Sequence, residues 1–429
     1  MPRKLTLLPL VAAVYFMVAG GPFGIEDIVA RSGYAGAISI LLLTPLLWAL
    51  PTGLMVAEMT SAVPEEGGYY VYVSRGLGRF WGYQEVWLSL VGSIFDMAIY
   101  PTLFIGYLGH FAPALTAGPR GMAVAVALVA IAAGWNVLGA RKVGGSSVLL
   151  AVILLAPFAV VVAIAMAHRA PASSNIPLRQ VDFLGGILVA MWNYMGWDNS
   201  STVAGEVEEP QRTYPLVMAL GVALVAVTYV LPIGAVALTG LDPNRWSTGG
   251  WADVARALGG GEVLAFAITL GGMVGASGSL NALTMSLSRL PAVLADDGFL
   301  PRLFGWRNAL GAPWVAIVGC AILWALALQL SFVKLIVLDV LLTGLSILLQ
   351  FAALVGLRIR EPHLHRPYRV PGGIFGAVAI GIPPLVLLIL TAVRNKIEPV
   401  GPINALELGG LLVLAGVVVY YLSARVRGR

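Results

Sequence analysis

The stretch AGGPFGIED, residues 19–27, interrupts an apolar segment that is otherwise long enough to cross a membrane. A second interruption, WNYMGWDN at residues 192–199, lies in the other half of the chain. Both place helix-breaking residues and acidic side chains inside apolar sequence. A bilayer core accepts unwound backbone only where protein or a water-filled cavity satisfies the freed polar groups. Two such breaks, one per half, predict a binding site near the middle of the membrane.

The composition is that of an integral membrane protein. The chain has 429 residues, of which 59% are hydrophobic and 11% charged, whereas a soluble protein carries about 25% charge. The apolar run at the N-terminus continues past Val18 without a small-residue cleavage site, which favours a first span over a signal peptide. No loop is long enough to fold alone, so we expect a single transmembrane domain over residues 1–429. The single cysteine, Cys320, forms no internal disulfide.

The apolar segments predict an all-α protein of about twelve spans, each needing about 20 residues. The expected spans are 8–31, 36–60, 81–111, 121–139, 146–168, 183–204, 214–238, 262–290, 313–330, 335–357, 374–392 and 405–423. The breaks fall in spans 1 and 6, which cross in opposite directions because they are five positions apart in the series of spans. This placement predicts an inverted repeat of five plus five helices. Repeat one covers about 8–168, repeat two about 183–357, and the extra helices about 374–423.

The basic residues predict that both termini are cytoplasmic, because Lys and Arg concentrate in cytoplasmic loops. Seventeen of the 26 basic residues fall on the side of the termini. They are Arg3, Lys4, Arg75, Arg79, Arg141, Lys142, Arg212, Arg289, Arg302, Arg307, Arg358, Arg360, Arg366, Arg369, Arg425, Arg427 and Arg429. This bias accounts for the basic charge balance without a nucleic-acid partner. The lipid bilayer is the expected surrounding.

The first break offers backbone groups to a ligand. Gly20, Gly21 and Gly24 permit unusual backbone angles, and Pro22 stops the helical hydrogen-bond ladder. Freed carbonyls attract cations, and freed N–H groups attract anions. Because Pro22 has no N–H, the break has one donor fewer for a carboxylate. A kink that serves helix packing is the alternative interpretation.

Acidic side chains occur at membrane depth without resident cations. Asp96 lies near the middle of span 3, and Asp198 lies inside the second break close to Ser201. Glu26 points into the bundle or lies at an external helix end in water. No Lys or Arg occurs in the apolar centre of any span. Buried acids are costly, so a cationic substrate, a proton or a metal cation is expected to neutralise them, unless they are structural and hydrogen-bonded.

Other side chains near the breaks suit an amine ligand. Aromatic faces hold ammonium groups by cation–π attraction, and the aromatic candidates are Phe23, Tyr100, Trp192, Tyr194 and Trp197. Asn193 adds an amide in the second break. In span 8, Ser277 and Ser279 are candidates for a coupling-ion site, with close helix packing as the alternative. The sequence has no metal-ligand cluster, cofactor motif or catalytic constellation, which argues against an enzyme.

Loop motifs give a resemblance to a known family. They are AEMT at 57–60, PEEGGYYVYV at 64–73, EVEEPQRTYP at 206–215, ADDGFLP at 295–301 and RPYRVPGG at 366–373. Together they resemble the amino acid–polyamine–organocation superfamily of secondary transporters over nearly the whole chain. Within it, GGPFGIE at 20–26, DMAIYP at 96–101 and WDNSSTVAGE at 197–206 resemble the polyamine:proton symporter branch, which includes plant polyamine uptake carriers.

Two features depart from related branches. Carriers of α-amino acids typically place Gly-Ser/Ala-Gly-Ile in the first break, where this chain has Pro22 and Glu26. Some proton-coupled relatives carry a lysine in span 5, whereas here the nearest basic residues are Arg141 and Lys142 in the preceding loop. The second departure leaves the coupling mechanism open.

The resemblance implies a leucine-transporter-like fold with discontinuous helices 1 and 6. It further implies a plasma-membrane carrier that imports polyamines or related organic cations by alternating access, coupled to protons rather than sodium. The expected substrate-binding residues are Gly20, Gly21, Pro22, Phe23, Gly24, Glu26, Asp96, Tyr100, Trp192, Asn193, Tyr194, Trp197, Asp198 and Ser201. The expected ion-coupling candidates are Asp96, Asp198, Ser277 and Ser279. The alternatives are an amino acid permease or exchanger, and a transport-dead nutrient sensor or partner subunit. The exact substrate and the choice between monomer and homo-oligomer stay open.

Overall fold

A computed structural model describes residues 6–65, 67–138, 147–170, 181–395 and 398–427. Five of the basic residues that predict cytoplasmic termini lie outside these ranges, namely Arg3, Lys4, Arg141, Lys142 and Arg429.

Helices dominate the described chain. The first half contains α1 (Leu7–Val18), α2 (Glu26–Thr44), a π-helical turn (Pro45–Ala49), α3 (Leu50–Ala62), α4 (Tyr69–Leu77), α5 (Arg79–Leu108), α6 (Pro113–Thr116), α7 (Gly118–Val137) and α8 (Ser147–Ala167). The next part contains α9 (Phe183–Asn193), a 3₁₀ segment (Asp198–Glu206), α10 (Pro210–Ala237), a 3₁₀ turn (Pro243–Arg245), α11 (Trp251–Ala257), α12 (Gly261–Leu287) and α13 (Leu290–Asp296). The last part contains a 3₁₀ turn (Arg302–Gly305), α14 (Trp314–Ala327), α15 (Phe332–Arg360), α16 (Gly373–Arg394) and α17 (Ala405–Arg427).

The described strands are two short ones between α16 and α17. They are β1 (Pro399–Val400) and β2 (Ile403–Asn404), which pair antiparallel with Pro399 opposite Asn404.

Within the described ranges, eight helical runs are long and apolar enough to cross a membrane, and Leu7–Val18, Ala151–Ala167 and Trp314–Ala327 are shorter apolar helices. One long run, Glu26–Ala62, spans two predicted segments. It is kinked at Gly33, where φ is 66° and the backbone leaves the helical region. The predicted boundary between spans 1 and 2, residues 31–36, therefore coincides with a real interruption of the helix.

Both predicted breaks are non-helical. Between α1 and α2 the backbone turns at Gly20, Gly21 and Gly24, where φ is 59°, 103° and 83°. These angles suit glycine because it lacks a Cβ. After α9 the chain turns at Gly196, with φ 96°, before entering the 3₁₀ segment.

Large apolar side chains cover the outer surface. Ile131, Leu326, Phe375 and Leu414 are all more than half exposed. Such a surface suits lipid rather than water, since lipid removes the penalty for exposed apolar groups. The core is made by α5, which packs against α12 and α15, while α1 packs against α8, α10 and α12.

Candidate functional site

A cavity with about 890 Å³ of empty volume lies between α5, α12, α15 and the two breaks. Its lining includes carboxylates, hydroxyls and aromatic rings together with backbone of both non-helical segments. Of the predicted site residues, those that line it are Gly20, Phe23, Asp96, Tyr100, Trp192, Asn193, Asp198 and Ser279. The structure therefore brings both breaks and both predicted mid-membrane acids to one space.

The first break contacts α12 through small residues. A Cβ on Gly275 would lie 2.7 Å from the carbonyl oxygen of Gly20, and a Cβ on Gly20 would lie 2.8 Å from the hydroxyl of Ser279. The glycines thus allow the unwound backbone to lie directly against α12. Ser277 is turned elsewhere and donates to the Met273 carbonyl at 2.7 Å. The close approach of the first break to α12 therefore depends on the absence of a side chain at Gly20 and Gly275.

We expect the Gly275→Ala variant to transport poorly. Its added methyl would collide with the Gly20 carbonyl, and overpacking of this kind costs about 1–3 kcal/mol. The initial rate of uptake and the thermal midpoint in detergent should both fall. Gly278→Ala is the matched control, because a Cβ at Gly278 meets no atom within 4 Å. Equal behaviour of the two variants would contradict this account of the break.

Aromatic side chains close one end of the cavity. The Phe23 ring packs edge-on against Tyr107 and Phe158, each at 5.1 Å between centroids. Phe158 in turn packs against Trp251 at 5.0 Å. The Trp251 indole donates to the Pro22 carbonyl at 2.6 Å. The segment 239–257, which follows α10, is therefore attached to the first break by the Trp251 hydrogen bond.

The cavity extends toward the opposite end. Its lining includes Leu283 and Leu287 near the C-terminus of α12 and Met17 on α1. Since α12 starts beside α11, which carries Trp251, these lining residues lie far from the aromatic closure. In the described conformation the cavity is closed on the side of α11 and extends furthest toward Leu287.

Glu26 is buried behind this closure rather than in the cavity lining. It is fully buried, and its Oε1 accepts a hydrogen bond from the Tyr107 hydroxyl. Its Oε2 has no hydrogen-bond partner among the described residues. Gly21, Pro22 and Gly24 are likewise buried outside the lining. The external, water-exposed position considered for Glu26 is not what the structure has.

The second break divides its side chains between the cavity and the protein core. Trp192 faces the cavity, where its indole donates to Asp96 at 3.2 Å and its ring lies 6.4 Å from that of Tyr100. Asn193 also lines the cavity, and its carbonyl accepts from Tyr229 at 3.1 Å. The Trp192 contact joins the second break to α5 directly.

Three other predicted residues of the second break are used for packing. The Tyr194 hydroxyl donates to the Leu41 carbonyl at 2.9 Å, and the Trp197 indole donates to the Tyr194 carbonyl at 2.8 Å. Ser201 donates to the Asp198 carbonyl at 2.7 Å. The bonds of Trp197 and Ser201 satisfy carbonyls of the break itself, and the bond of Tyr194 attaches the break to α2, so these buried polar groups have partners.

Asp198 is held by a polar network that the sequence analysis did not identify. Its Oδ2 accepts from the Gln350 amide at 2.8 Å. The same amide nitrogen donates to Glu85 Oε1 at 3.1 Å, which also accepts from Ser346 at 2.5 Å. Glu85 and Gln350 are completely buried. A second carboxyl group therefore lies one amide away from Asp198.

Asp339 is a further cavity acid that the sequence analysis missed. It is 2% exposed, lines the cavity beside Thr343, and accepts a hydrogen bond from it at 2.8 Å. The available signal was an acid inside the apolar run LIVLDVLL, residues 335–342. Asp339 is close enough to Asp96 and Asp198 to interact with both electrostatically.

The cavity is thus an acidic site. Asp96, Asp198 and Asp339 line it, and its described lining contains no Lys, Arg or His. Isolated carboxylates in a low-dielectric interior are unfavourable unless a cation or proton accompanies them. The carboxylates can bind a cationic group, and the faces of Tyr100 and Trp192 can add cation–π attraction.

Comparison with known proteins identifies the family of this chain. The family model described as amino acid permease matches residues 11–412. A probable polyamine transporter of Arabidopsis thaliana is 34% identical over 398 residues, covering 92% of this chain and 80% of that protein. A polyamine transporter of Oryza sativa subsp. japonica is 35% identical, covering 92% and 75%. A serine/threonine exchanger of Bacillus subtilis is 25% identical, covering 79% and 80%.

These matches extend over almost all of the described helices and include both breaks and the cavity. The relatives are membrane transporters rather than enzymes. The chain is therefore a multi-pass membrane transporter that belongs to the amino acid permease family, within the amino acid–polyamine–organocation superfamily.

Proposed function

We propose that this transporter imports polyamines or related organic cations across the plasma membrane. The observation that carries the proposal is the cavity with three buried carboxyl side chains, Asp96, Asp198 and Asp339, and no basic residue in its described lining. A primary ammonium group replaces its hydration shell with such carboxylates and with ring faces. The plant relatives named as polyamine transporters support the same substrate class.

The proposed architecture is a leucine-transporter-like fold of twelve spans. α1 with the first part of α2 would form the first discontinuous helix, and α9 with the 3₁₀ segment would form the sixth. Repeat one would cover about 8–168 and repeat two about 183–357, with α16 and α17 as additions. Support comes from the two non-helical segments that meet at one cavity.

The proposed cycle is alternating access. In the described conformation the aromatic closure around Trp251 seals one end, and the cavity reaches toward Leu287 at the other. If both termini are cytoplasmic, the eighth span, α12, ends on the cytoplasmic side, so the cavity extends toward the cytoplasm. Release of the Trp251 bond to Pro22 would open the outer path, while the half-helices move against α5 and α15. Their small-residue contact with α12 permits such sliding.

We propose proton coupling. Asp96 and Asp198 are the coupling candidates, since a carboxyl without a resident counter-ion can carry a proton when the amine has left. Ser279 lines the cavity and is the hydroxyl candidate, whereas Ser277 bonds its own helix. Neutralisation by a proton would allow the empty site to reorient without an uncompensated buried charge.

Amino acid exchange is the second candidate, because one relative is named a serine/threonine exchanger. That function would need donors for a carboxylate. In the first break Pro22 has no N–H, and the cavity charges are acidic. An α-carboxylate would be repelled there, so we favour amines.

Uptake into proteoliposomes tests the proposal. We expect saturable accumulation of labelled putrescine or spermidine that increases when the outside is acidified relative to the lumen. Amino acids should compete weakly. Empty liposomes provide the background, and collapse of the pH gradient with an ionophore tests coupling. Saturable uptake of amino acids without competition by polyamines would show that amines are not the substrates.

A further inference from the structure

Glu85 and Gln350 form a contact between α5 and α15 beside the cavity. Both side chains are completely buried, and neither belongs to the cavity lining. The Gln350 Nε2 donates to Glu85 Oε1 at 3.1 Å and to Asp198 Oδ2 at 2.8 Å, and these two bonds use both of its hydrogens. Since Asp198 lines the cavity, Gln350 links an acid that a substrate can reach to one that it cannot.

The hydrogen-bond donors around Glu85 converge on one of its two oxygens. Oε1 accepts from Ser346 at 2.5 Å and from Gln350 at 3.1 Å, and the Ser89 hydroxyl lies 3.4 Å away. Oε2 is buried and has no hydrogen-bond partner among the described residues. An ionised carboxylate has two equivalent acceptor oxygens, whereas a neutral carboxylic acid has one carbonyl acceptor and one O–H donor. The contacts of Glu85 are those of the neutral acid.

The Gln350 side chain has the complementary unsatisfied group. Its Oε1 is a buried acceptor that also lacks a hydrogen-bond partner among the described residues. The contact between Glu85 and Gln350 thus contains two unsatisfied acceptors, which is unfavourable in a buried position. A single proton on Glu85 Oε2 would supply the donor for Gln350 Oε1. The acid and the amide would then be joined by two parallel hydrogen bonds.

The charges near Glu85 also favour the neutral acid. Because the Gln350 nitrogen lies 2.8 Å from Asp198 Oδ2 and 3.1 Å from Glu85 Oε1, these two oxygens are no more than about 6 Å apart. The ion pairs of the described residues include neither acid. The titratable groups that act on the two acids from α4 and α15 are Tyr69 and Asp339, neither of which can carry positive charge. Two carboxyl groups in such surroundings do not both ionise.

The remaining charge belongs on Asp198 rather than on Glu85. Asp198 lines the cavity, where an ammonium group can reach its carboxylate. Glu85 lies outside the lining, so its ionisation would bury a charge without compensation.

We propose, on the basis of the proposed function, that Glu85 stays protonated and is a positioning residue for the substrate carboxylate of Asp198. The paired acid and amide fix the Gln350 side chain, and its second N–H holds Asp198 in one position although the backbone of Asp198 belongs to a non-helical segment. Ser346 fixes the carbonyl oxygen of Glu85. Proton coupling is then a task of the cavity acids and not of Glu85.

Glu85→Gln tests the proposal, because glutamine reproduces the neutral acid without a titratable proton. Its carbonyl can accept from the Gln350 amide, and its own amide can donate to Gln350 Oε1. We expect an unchanged KM for spermidine uptake in proteoliposomes and unchanged stimulation by a pH gradient. Glu85→Leu can form neither bond, so its KM should rise about tenfold with a smaller change in kcat.

The infrared difference spectrum between the purified parent and Glu85→Gln measures the proton directly. We expect it to contain the carbonyl band of a protonated carboxyl group at neutral and at moderately alkaline pH. Asp296→Asn, which removes an exposed acid on α13, is the control and should show the loss of an ionised carboxylate instead.

Three results would overturn the proposal. They are an ionised carboxylate band in the Glu85→Gln difference spectrum, a KM that rises in Glu85→Gln as strongly as in Asp198→Asn, and loss of the pH-gradient stimulation in Glu85→Gln. The third would make Glu85 the coupling residue. A protonated carboxyl band in a protein that transports amino acids and no amine would contradict the proposed function and leave the protonation of Glu85 intact.

Discussion

Asp96→Asn is expected to abolish nearly all polyamine uptake. The substitution is isosteric, and an asparagine oxygen can still accept the Trp192 indole hydrogen bond that Asp96 receives at 3.2 Å. What it removes is the charge that a bound ammonium requires. Loss of one partner from a buried charge pair costs about 3–5 kcal/mol, so kcat/KM should fall at least about 100-fold. Initial rates of labelled spermidine uptake in proteoliposomes measure this.

Folding must be separated from binding in this experiment. Size-exclusion profiles and thermal midpoints of Asp96→Asn should match those of the parent, because the side chain keeps its shape and its indole contact. Asp296→Asn, whose carboxylate is exposed, should transport normally. A fully active Asp96→Asn would remove this residue from the substrate site and would shift the role to Asp339.

Sequence alone could predict the breaks because their chemistry is local. Glycine and proline dictate the unwound backbone at 19–25, whatever the helices around it. Asp96 and Asp198 were likewise identifiable as isolated acids at membrane depth. Asp339 also lies in an apolar run, but it is near the start of its expected span, 335–357, so the sequence did not place it at mid-membrane depth as it did Asp96.

Other parts of the site depend on tertiary structure. Glu85 is only a few residues from the start of its helix, a position usually in water, yet it is completely buried among Ser346 and Gln350. That burial depends on α15 crossing it in register. The position of Glu26 depends on backbone conformation instead. The backbone angles of the three preceding glycines set the rotation of α2 about its axis, and this rotation directs the Glu26 carboxyl toward Tyr107. Residue spacing in the sequence predicts neither the register of α15 against α5 nor the rotation of α2.

Arg358→Leu is expected to destabilise the protein strongly. Both Arg358 and Glu58 have side chains only 1% exposed, and the Arg358 Nε donates to Glu58 at 2.9 Å alongside a second contact through Nη2. Arg358 also donates to the Val370 carbonyl at 2.9 Å, and Glu58 accepts from the Val370 amide at 2.7 Å. Leucine would leave the Glu58 carboxylate with Arg366, 3.5 Å away, as its remaining cationic neighbour. Breaking a buried pair this way costs about 3–5 kcal/mol.

The thermal midpoint in detergent should fall in Arg358→Leu and recover in part when Glu58→Leu is added, since the double variant no longer buries the Glu58 carboxylate. Recovery is only partial because Arg366 also loses Glu58, although it keeps its bonds to the Leu357, Glu361 and Leu364 carbonyls. The pair joins α3 and α15 to the segment before α16, outside both breaks. Because neither Glu58 nor Arg358 lines the cavity, protein that remains folded should transport spermidine with an unchanged KM. A shifted KM at an unchanged thermal midpoint would contradict a purely structural role and would place the Glu58–Arg358 pair in the transport cycle.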